Sequence, residues 1–219
     1  MALRMAELGE DFSLLFTPTG NELPDLAPHI AAVVAKIDRP LIMPPGPSLD
    51  GLITLQAAIP NFRQRWCTRM IKIVPCIAWL KAHPGTALCV GLRADEENRE
   101  GLYGDFATYR YPLREWGWKI SDVFAYLNRA GWKVPKRTDC ALCYGQRLGE
   151  WYALWRDYPA EYAKGEVYEA TYGHTFRSAQ RDTWPAALKD LRAEFERGRR
   201  PKGVDEPSDA EKACRVCAA

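Results

Sequence analysis

Cysteines stand at positions 67, 76, 89, 140, 143, 214 and 217, and two pairs of them, Cys140/Cys143 and Cys214/Cys217, have C-x-x-C spacing. Two thiolates so spaced can reach one metal ion from a tight turn. Structural zinc, an iron–sulfur cluster and a redox dithiol all use this spacing. Redox dithiols usually open a helix that follows a strand, and Pro135-Lys-Arg-Thr-Asp139 does not have a strand's composition, so metal ligation is the reading taken here. A tetrahedral thiolate site needs four ligands. Beyond Cys140 and Cys143, the remaining ligands must come from Cys67 and Cys76 or from Cys214 and Cys217. Cys89, inside Ala-Leu-Cys-Val, is expected to be a buried small hydrophobe. An odd number of cysteines without a secretory signal makes a poor disulfide framework.

Cationic residues surround Cys67. In Arg63-Gln-Arg-Trp-Cys-Thr-Arg-Met-Ile-Lys72, Arg65, Arg69 and Lys72 recur at spacings of four and three and would share one helix face. Like charges that close repel, and a bound phosphate or sulfate would relieve the repulsion; a solvated basic face is the alternative. Further anion-binding candidates are the hydroxyls of Thr17 and Thr19, Gly20 where backbone can approach a ligand closely, and the charged fork of Arg93 after Gly91. His29, His83 and His174 show no ligand spacing and are expected to be structural. Most of the eight tryptophans, Trp116, Trp118, Trp151 and Trp155 among them, are expected in the core.

Positioning these residues requires elements on both sides of them. The residues over 1–8 have helical periodicity. Short apolar runs over 12–16, 40–43 and 86–90 suit strands buried on both faces of a parallel sheet. Helices are predicted over 26–37, from about 68 to 81 with a kink or restart at Pro75, from an N-cap at Ser121 through Arg129 with Gly131 at C′, over 146–162 and over 184–197. Alternating strands and helices predict an α/β layer structure, whose ligands sit beyond the carboxyl ends of its strands. Three loops fall there: 17–21, 44–47 and 91–95. The expected organisation is one α/β domain over 1–197, helical in its C-terminal part, and a flexible tail over 198–219 carrying the second C-x-x-C.

With 30 basic and 28 acidic residues the formal net charge is +2, which argues against a dominant nucleic-acid footprint. No apolar run reaches the ~18 residues of a membrane span and residues 1–9 do not form a signal peptide. A cytoplasmic location without membrane contact is the expectation.

Four blocks, in order over about residues 12–147, resemble one family. Phe12-Ser-Leu-Leu-Phe-Thr-Pro-Thr-Gly-Asn-Glu-Leu-Pro24 is similar to the second strand and loop of phosphoadenosine phosphosulfate (PAPS) reductases. Arg65-Trp-Cys-Thr-Arg-Met-Ile-Lys-Ile-Val-Pro75 resembles their cysteine–basic–lysine–proline block, and Gly91-Leu-Arg-Ala-Asp-Glu96 their Gly-x-Arg segment. The stretch from Tyr111 to Tyr126 has the proline-leucine, tryptophan and aspartate-valine pattern that precedes the C-x-x-C. The nearest likeness is to phage and bacterial PAPS reductase-like proteins, with DNA phosphorothioation sulfur-transfer proteins as cousins.

The resemblance implies an adenine nucleotide α-hydrolase-like fold with a Rossmann-like parallel sheet flanked by helices. It implies PAPS, adenylyl sulfate or ATP at the strand ends, held by Thr17, Thr19, Gly20, Arg65, Arg69, Lys72, Gly91 and Arg93. It implies a 4Fe-4S cluster helped by Cys67, Cys140 and Cys143, with Cys76 a candidate fourth ligand and zinc the alternative. A catalytic thiol on the tail would be Cys214 or Cys217. Expected partners are a thioredoxin-like reductant or sulfur-transfer protein, and a homodimer. The family's Ser-Gly-Gly-x-Asp-Ser loop and the strand before it are missing here, so the sheet should lack its first strand. A metal-stapled nucleotide- or nucleic-acid-binding module without catalysis is the alternative function.

Overall fold

The computed structural model describes residues 1–101, 103–133, 135, 137–179, 181–202 and 204. Its strands form two small parallel sheets. Leu14–Leu15 (β1) pairs with Leu41–Ile42 (β2), Leu14 opposite Leu41, and Ala87–Cys89 (β3) pairs with Thr108–Arg110 (β4), Leu88 opposite Tyr109. The chain is thus a mixed α/β protein. The three predicted strands are present but shorter than the apolar runs that announced them. With two strands to a sheet, each strand has only one neighbour, and β1, β2 and Cys89 are half-buried rather than enclosed on both faces. β4 was not expected, since Thr-Tyr-Arg carries too little pattern to stand out.

Ala2–Glu7 (α1) precedes β1, and Leu26–Ile37 (α2) connects β1 to β2. α2 has its predicted bounds and ends where Asp38 turns left-handed, at φ 51°. After β2 comes Leu49–Gln56 (α3), a helix beyond those the periodicity predicts. Ser48 accepts a hydrogen bond from the Gly51 N–H at 3.1 Å, and Leu49, Leu52 and Ile53 share a buried face.

The basic segment does change character at its proline. Thr68–Ile73 is a π-helical turn and Val74–Ala82 (α4) continues as α-helix with Pro75 in its first turn. Proline offers no N–H to the preceding turn, and a widened turn there accommodates the loss. π-turns of this kind recur at functional sites. Across from it, a Cβ on Gly46 would stand 2.9 Å from Pro75 Cγ, so glycine lets the 44–47 loop lie directly on the helix start.

Pro112–Glu115 (α5) leads into Ile120–Arg129 (α6). The N-cap of α6 is Lys119, not Ser121: the Asp122 carboxylate accepts the Lys119 N–H at 2.8 Å, which closes the turn two residues earlier. Gly131 follows the helix at φ 71°, as predicted. The single helix expected over 146–162 is two, Leu148–Asp157 (α7) and Pro159–Tyr172 (α8), broken where Pro159 forces Tyr158 out of helical geometry. Leu188–Glu196 (α9) starts later than the periodicity suggested.

The main core lies between α3, α7, α8 and α9. It contains Ile53, Ile59, Leu142, Trp151, Leu154, Tyr162, Phe176, Leu188, Leu191 and Phe195, with Trp66, Trp155 and Trp184 against its margin. Leu142 is the third residue of Cys140-Ala-Leu-Cys143, so the C-x-x-C turn is seated in this core. Gly165 on α8 is what lets it sit there. A Cβ at 165 would meet Leu142 Cδ2 and Leu188 Cδ1 at 2.8 Å each, and both leucines are fully buried. Gly165→Ala is therefore expected to destabilise the chain by about 1–2 kcal/mol through overpacking, despite alanine's better helix propensity. Urea unfolding measures it, and a neutral or stabilising result would show that the leucines have room to turn away. Among the described residues no helix is long and apolar enough to cross a membrane.

Candidate functional site

The loop after β1 organises itself around one carboxylate. Glu22 Oε1 accepts from the Thr19 N–H at 2.5 Å and the Thr19 hydroxyl at 2.7 Å, while Thr19 Oγ1 accepts the Asn21 N–H at 3.2 Å. The Leu49 N–H donates to the Thr19 carbonyl at 2.7 Å, which ties this loop to the start of α3. Gly20 makes the turn at φ 69° and faces Ser48, where an added Cβ would stand 3.0 Å from the serine Cβ.

Onto this loop the C-x-x-C turn docks edge to edge. Glu22 and Cys140 form an antiparallel bridge. The Ala141 N–H donates to the Asn21 carbonyl at 2.6 Å and the Leu142 N–H to Asn21 Oδ1 at 3.0 Å. From behind, Arg137 donates to the Cys140 carbonyl and to Gln146 Oε1, and Gln146 Nε2 donates to the Ala141 carbonyl at 2.6 Å. These bonds occupy the turn's backbone groups, leaving the cysteine side chains to point forward. The Cys140 thiol reaches Thr19 Oγ1 at 3.4 Å.

The π-turn closes the opposite side. Cys67, Thr68, Ile71 and Lys72 line, with Thr19, Asp139, Cys140, Cys143 and Tyr144, a cavity of about 30 Å³. Three of the predicted ligands and the predicted lysine thus meet. Burial, then the charges of Asp139 and Cys140, pushes the Cys143 thiol up to about 12. Burial raises Cys67 as well, and a charge on Cys140 would raise it further. For Cys140 burial again dominates upward, opposed by the Thr19 hydrogen bond and Lys72. At neutral pH the three are thiols unless a cation enters among them. The Thr68 hydroxyl is buried here without a well-formed hydrogen bond, a further donor without a settled partner. Among the described residues, however, no group of three or more histidine, cysteine, aspartate or glutamate side chains is placed to hold a metal ion.

The other predicted residues lie elsewhere. Cys76 is a buried residue of α4, with Tyr103 as hydrogen-bond partner, and does not line the cavity. Arg65 interacts with Tyr144 at its rim, whereas Arg69 is exposed. Thr17 is half-buried and does not line the cavity. Gly91 is exposed beyond β3, and the fork of Arg93 is occupied by Asp95 at 2.9 Å and Glu96 at 3.3 Å. Cys89 pairs into β3. His83 bonds the Trp79 carbonyl at 2.8 Å and His29 packs on Trp132. Cys214 and Cys217 lie outside the described residues.

Comparison with protein-family models, with curated proteins and with solved structures gives no match. The functional reading therefore rests on this cavity. Four of its participants escaped the sequence: Asn21, Glu22, Thr68 and Asp139. Asp139 adjoins Cys140 and was legible as a neighbour. Asn21 acts by reaching about 120 residues along the chain to Leu142, which no local pattern announces, and Glu22 by closing its own loop on Thr19.

Proposed function

We propose that this chain is a PAPS reductase-like protein that brings an anionic adenine nucleotide to a thiolate-held centre and reduces or transfers activated sulfur. The observation that carries the reading is the meeting of Cys67, Cys140 and Cys143 with Lys72 in one cavity beyond the end of β1. Cys67, Cys140 and Cys143 would hold the centre; a 4Fe-4S cluster would supply electrons there. The donor set suits a thiophilic ion, and the buried thiols would ionise on its entry. About 30 Å³ accommodates an ion or a water, so a 4Fe-4S cluster would enter only if the segments carrying Cys67 and residues 140–143 moved apart. The same volume is an order of magnitude less than a small-molecule chamber of roughly 300 Å³. The nucleotide would therefore lie outside, with its sulfate or phosphate toward Lys72 and the exposed Arg69. Electrons would come from a thioredoxin-like dithiol, and the acceptor thiol from Cys214 or Cys217. The Rossmann-like arrangement belongs to the same proposal.

Anaerobically purified protein should contain iron and labile sulfide, and Cys67→Ser should lose both. Lys72→Ala should weaken adenylyl sulfate binding about tenfold in calorimetry, the loss of one charge-assisted bond of roughly 1.5 kcal/mol. Unchanged affinity would remove Lys72 from the site.

The small cavity favours a second reading, a zinc staple in a binding module without catalysis. Colourless protein with one zinc, and no nucleotide affinity, would establish that reading and end the first.

A further inference from the structure

A larger cavity lies away from the thiols. An open groove of about 340 Å³ lies between α1 and the last turn of α6, lined by Arg4, Glu7, Trp118, Tyr126, Arg129 and Ala130. That is at the lower end of the size of small-molecule sites. Its floor is aromatic and braced. The Trp118 ring packs against Trp116 at 5.2 Å and against Tyr126 at 5.1 Å, both tilted, which leaves a half-buried indole held between two neighbours. Tyr126 is buried and fixed in turn, its hydroxyl donating to Glu7 Oε1 at 2.8 Å.

The charges of the lining are unequal. Glu7 is its one carboxylate, and both oxygens are engaged, Oε1 by Tyr126 and Oε2 by Arg4 at 3.1 Å. Arg129 is the second guanidinium. It lies 6.0 Å from the Tyr126 ring, and its charge acts on Glu7 without a direct bond, Arg4 being the guanidinium that Glu7 bonds. At the carboxyl end of α6 it also offsets the helix dipole, which would otherwise disfavour an anion. A rigid indole supplies a stacking surface, and two guanidinium groups against one carboxylate leave the lining with positive charge to spare, Arg129 offering its fork to an anionic group.

We infer that this groove is a second binding site, taking a planar aromatic monoanion whose ring lies on Trp118 and whose anionic group meets Arg129. A neutral aromatic would leave the lining's excess positive charge unanswered, and an aliphatic anion would leave the indole uncovered. A ligand of one or two rings fits the volume. The site is independent of the thiols and would remain if they hold no metal.

Titration calorimetry of the full chain with 2-naphthoate and with its neutral isostere 2-naphthamide tests this. Expected are saturable 1:1 binding of the naphthoate and about tenfold weaker binding of the amide. Arg129→Gln, at an exposed position that should not disturb folding, should weaken the naphthoate about tenfold and leave the amide unchanged. Trp118→Leu should weaken both, and Cys140→Ala neither. No saturable binding, equal affinity for the two probes, or an Arg129→Gln protein that binds naphthoate like the parent would each overturn the assignment.

Discussion

Asn21→Ala is expected to cost the folded chain about 2 kcal/mol and to loosen the C-x-x-C turn, although Asn21 lies some 120 residues away in sequence. Its carboxamide oxygen takes the Leu142 N–H at 3.0 Å, and Leu142 is fully buried. Alanine would strand that N–H in an apolar setting, at a cost of roughly 1–3 kcal/mol. Part is offset, because Asn21 Nδ2 is itself buried without a partner. The Ala141 N–H keeps its bond to the Asn21 carbonyl, so the turn should open locally rather than unfold the domain. Native-state alkylation by iodoacetamide, read by mass spectrometry, should then become about tenfold faster at Cys143, as ~1.4 kcal/mol of lost protection requires. Asn61→Ala is the matched control. Its side-chain oxygen accepts the Arg63 and Gln64 N–H groups at 2.9 and 3.0 Å, but at the surface, where the loss should stay within about 0.5 kcal/mol. Equal stability and equal Cys143 protection in the two variants would mean that the turn is seated by Leu142 packing on Gly165 alone.

The contrast between Asn21 and its neighbours shows what the sequence discloses. α2 was legible to the residue because an unbroken 3.6-residue pattern runs to Ile37 and then meets Asp38. The kink at Pro75 was legible because a missing N–H has one local consequence. That Cys67, Cys140, Cys143 and Lys72 gather was legible as chemistry, since thiols with metal spacing and clustered cations ask for a common partner. The seat that gathers them was not. It is made by Asn21, Glu22, Arg137 and Gln146 bonding to backbone groups, and those residue types announce nothing by themselves. Arg93 shows the converse. It has the right type at the right strand end, yet Asp95 and Glu96 are two and three residues away and occupy its fork first. Its place beside a proline-led turn in an amphipathic stretch points Trp118 to the core, but Pro112 starts a short helix that leaves its ring half-buried at the wall of a cavity.

Glu169 should make stability fall as pH rises from 5 to 8. This carboxylate is buried between α8 and α9, where Oε1 accepts the Phe176 N–H at 2.9 Å and Oε2 the Leu188 N–H at 2.6 Å. Those bonds and Arg177 favour its charge, but burial outweighs them and Glu166 adds to it, raising its pKa from the ordinary 4.5 to about 7. The folded chain therefore holds this proton more tightly than the unfolded chain. The resulting stability is complete below pH 4.5 and is lost as pH climbs through 7. A difference of two to three pH units at ~1.4 kcal/mol each makes the full loss about 3 kcal/mol. Other groups do not imitate it in this window. Glu7, Asp95, Asp182 and Glu194 have lowered values, so their contributions are lost as pH falls and are complete by about pH 5.5. The buried Met1 amine, also lowered, works in the opposite direction up to pH 8 and cancels when a variant is compared with its parent. Glu169→Gln is that variant. Glutamine can accept one of the two N–H groups and presents its own NH₂ to the other, so it should be the less stable protein at pH 5. By pH 8 the parent's buried charge should have erased most of that gap. A gap of constant size across the range, measured by urea unfolding, would mean that the two hydrogen bonds outweigh burial and that Glu169 is charged throughout.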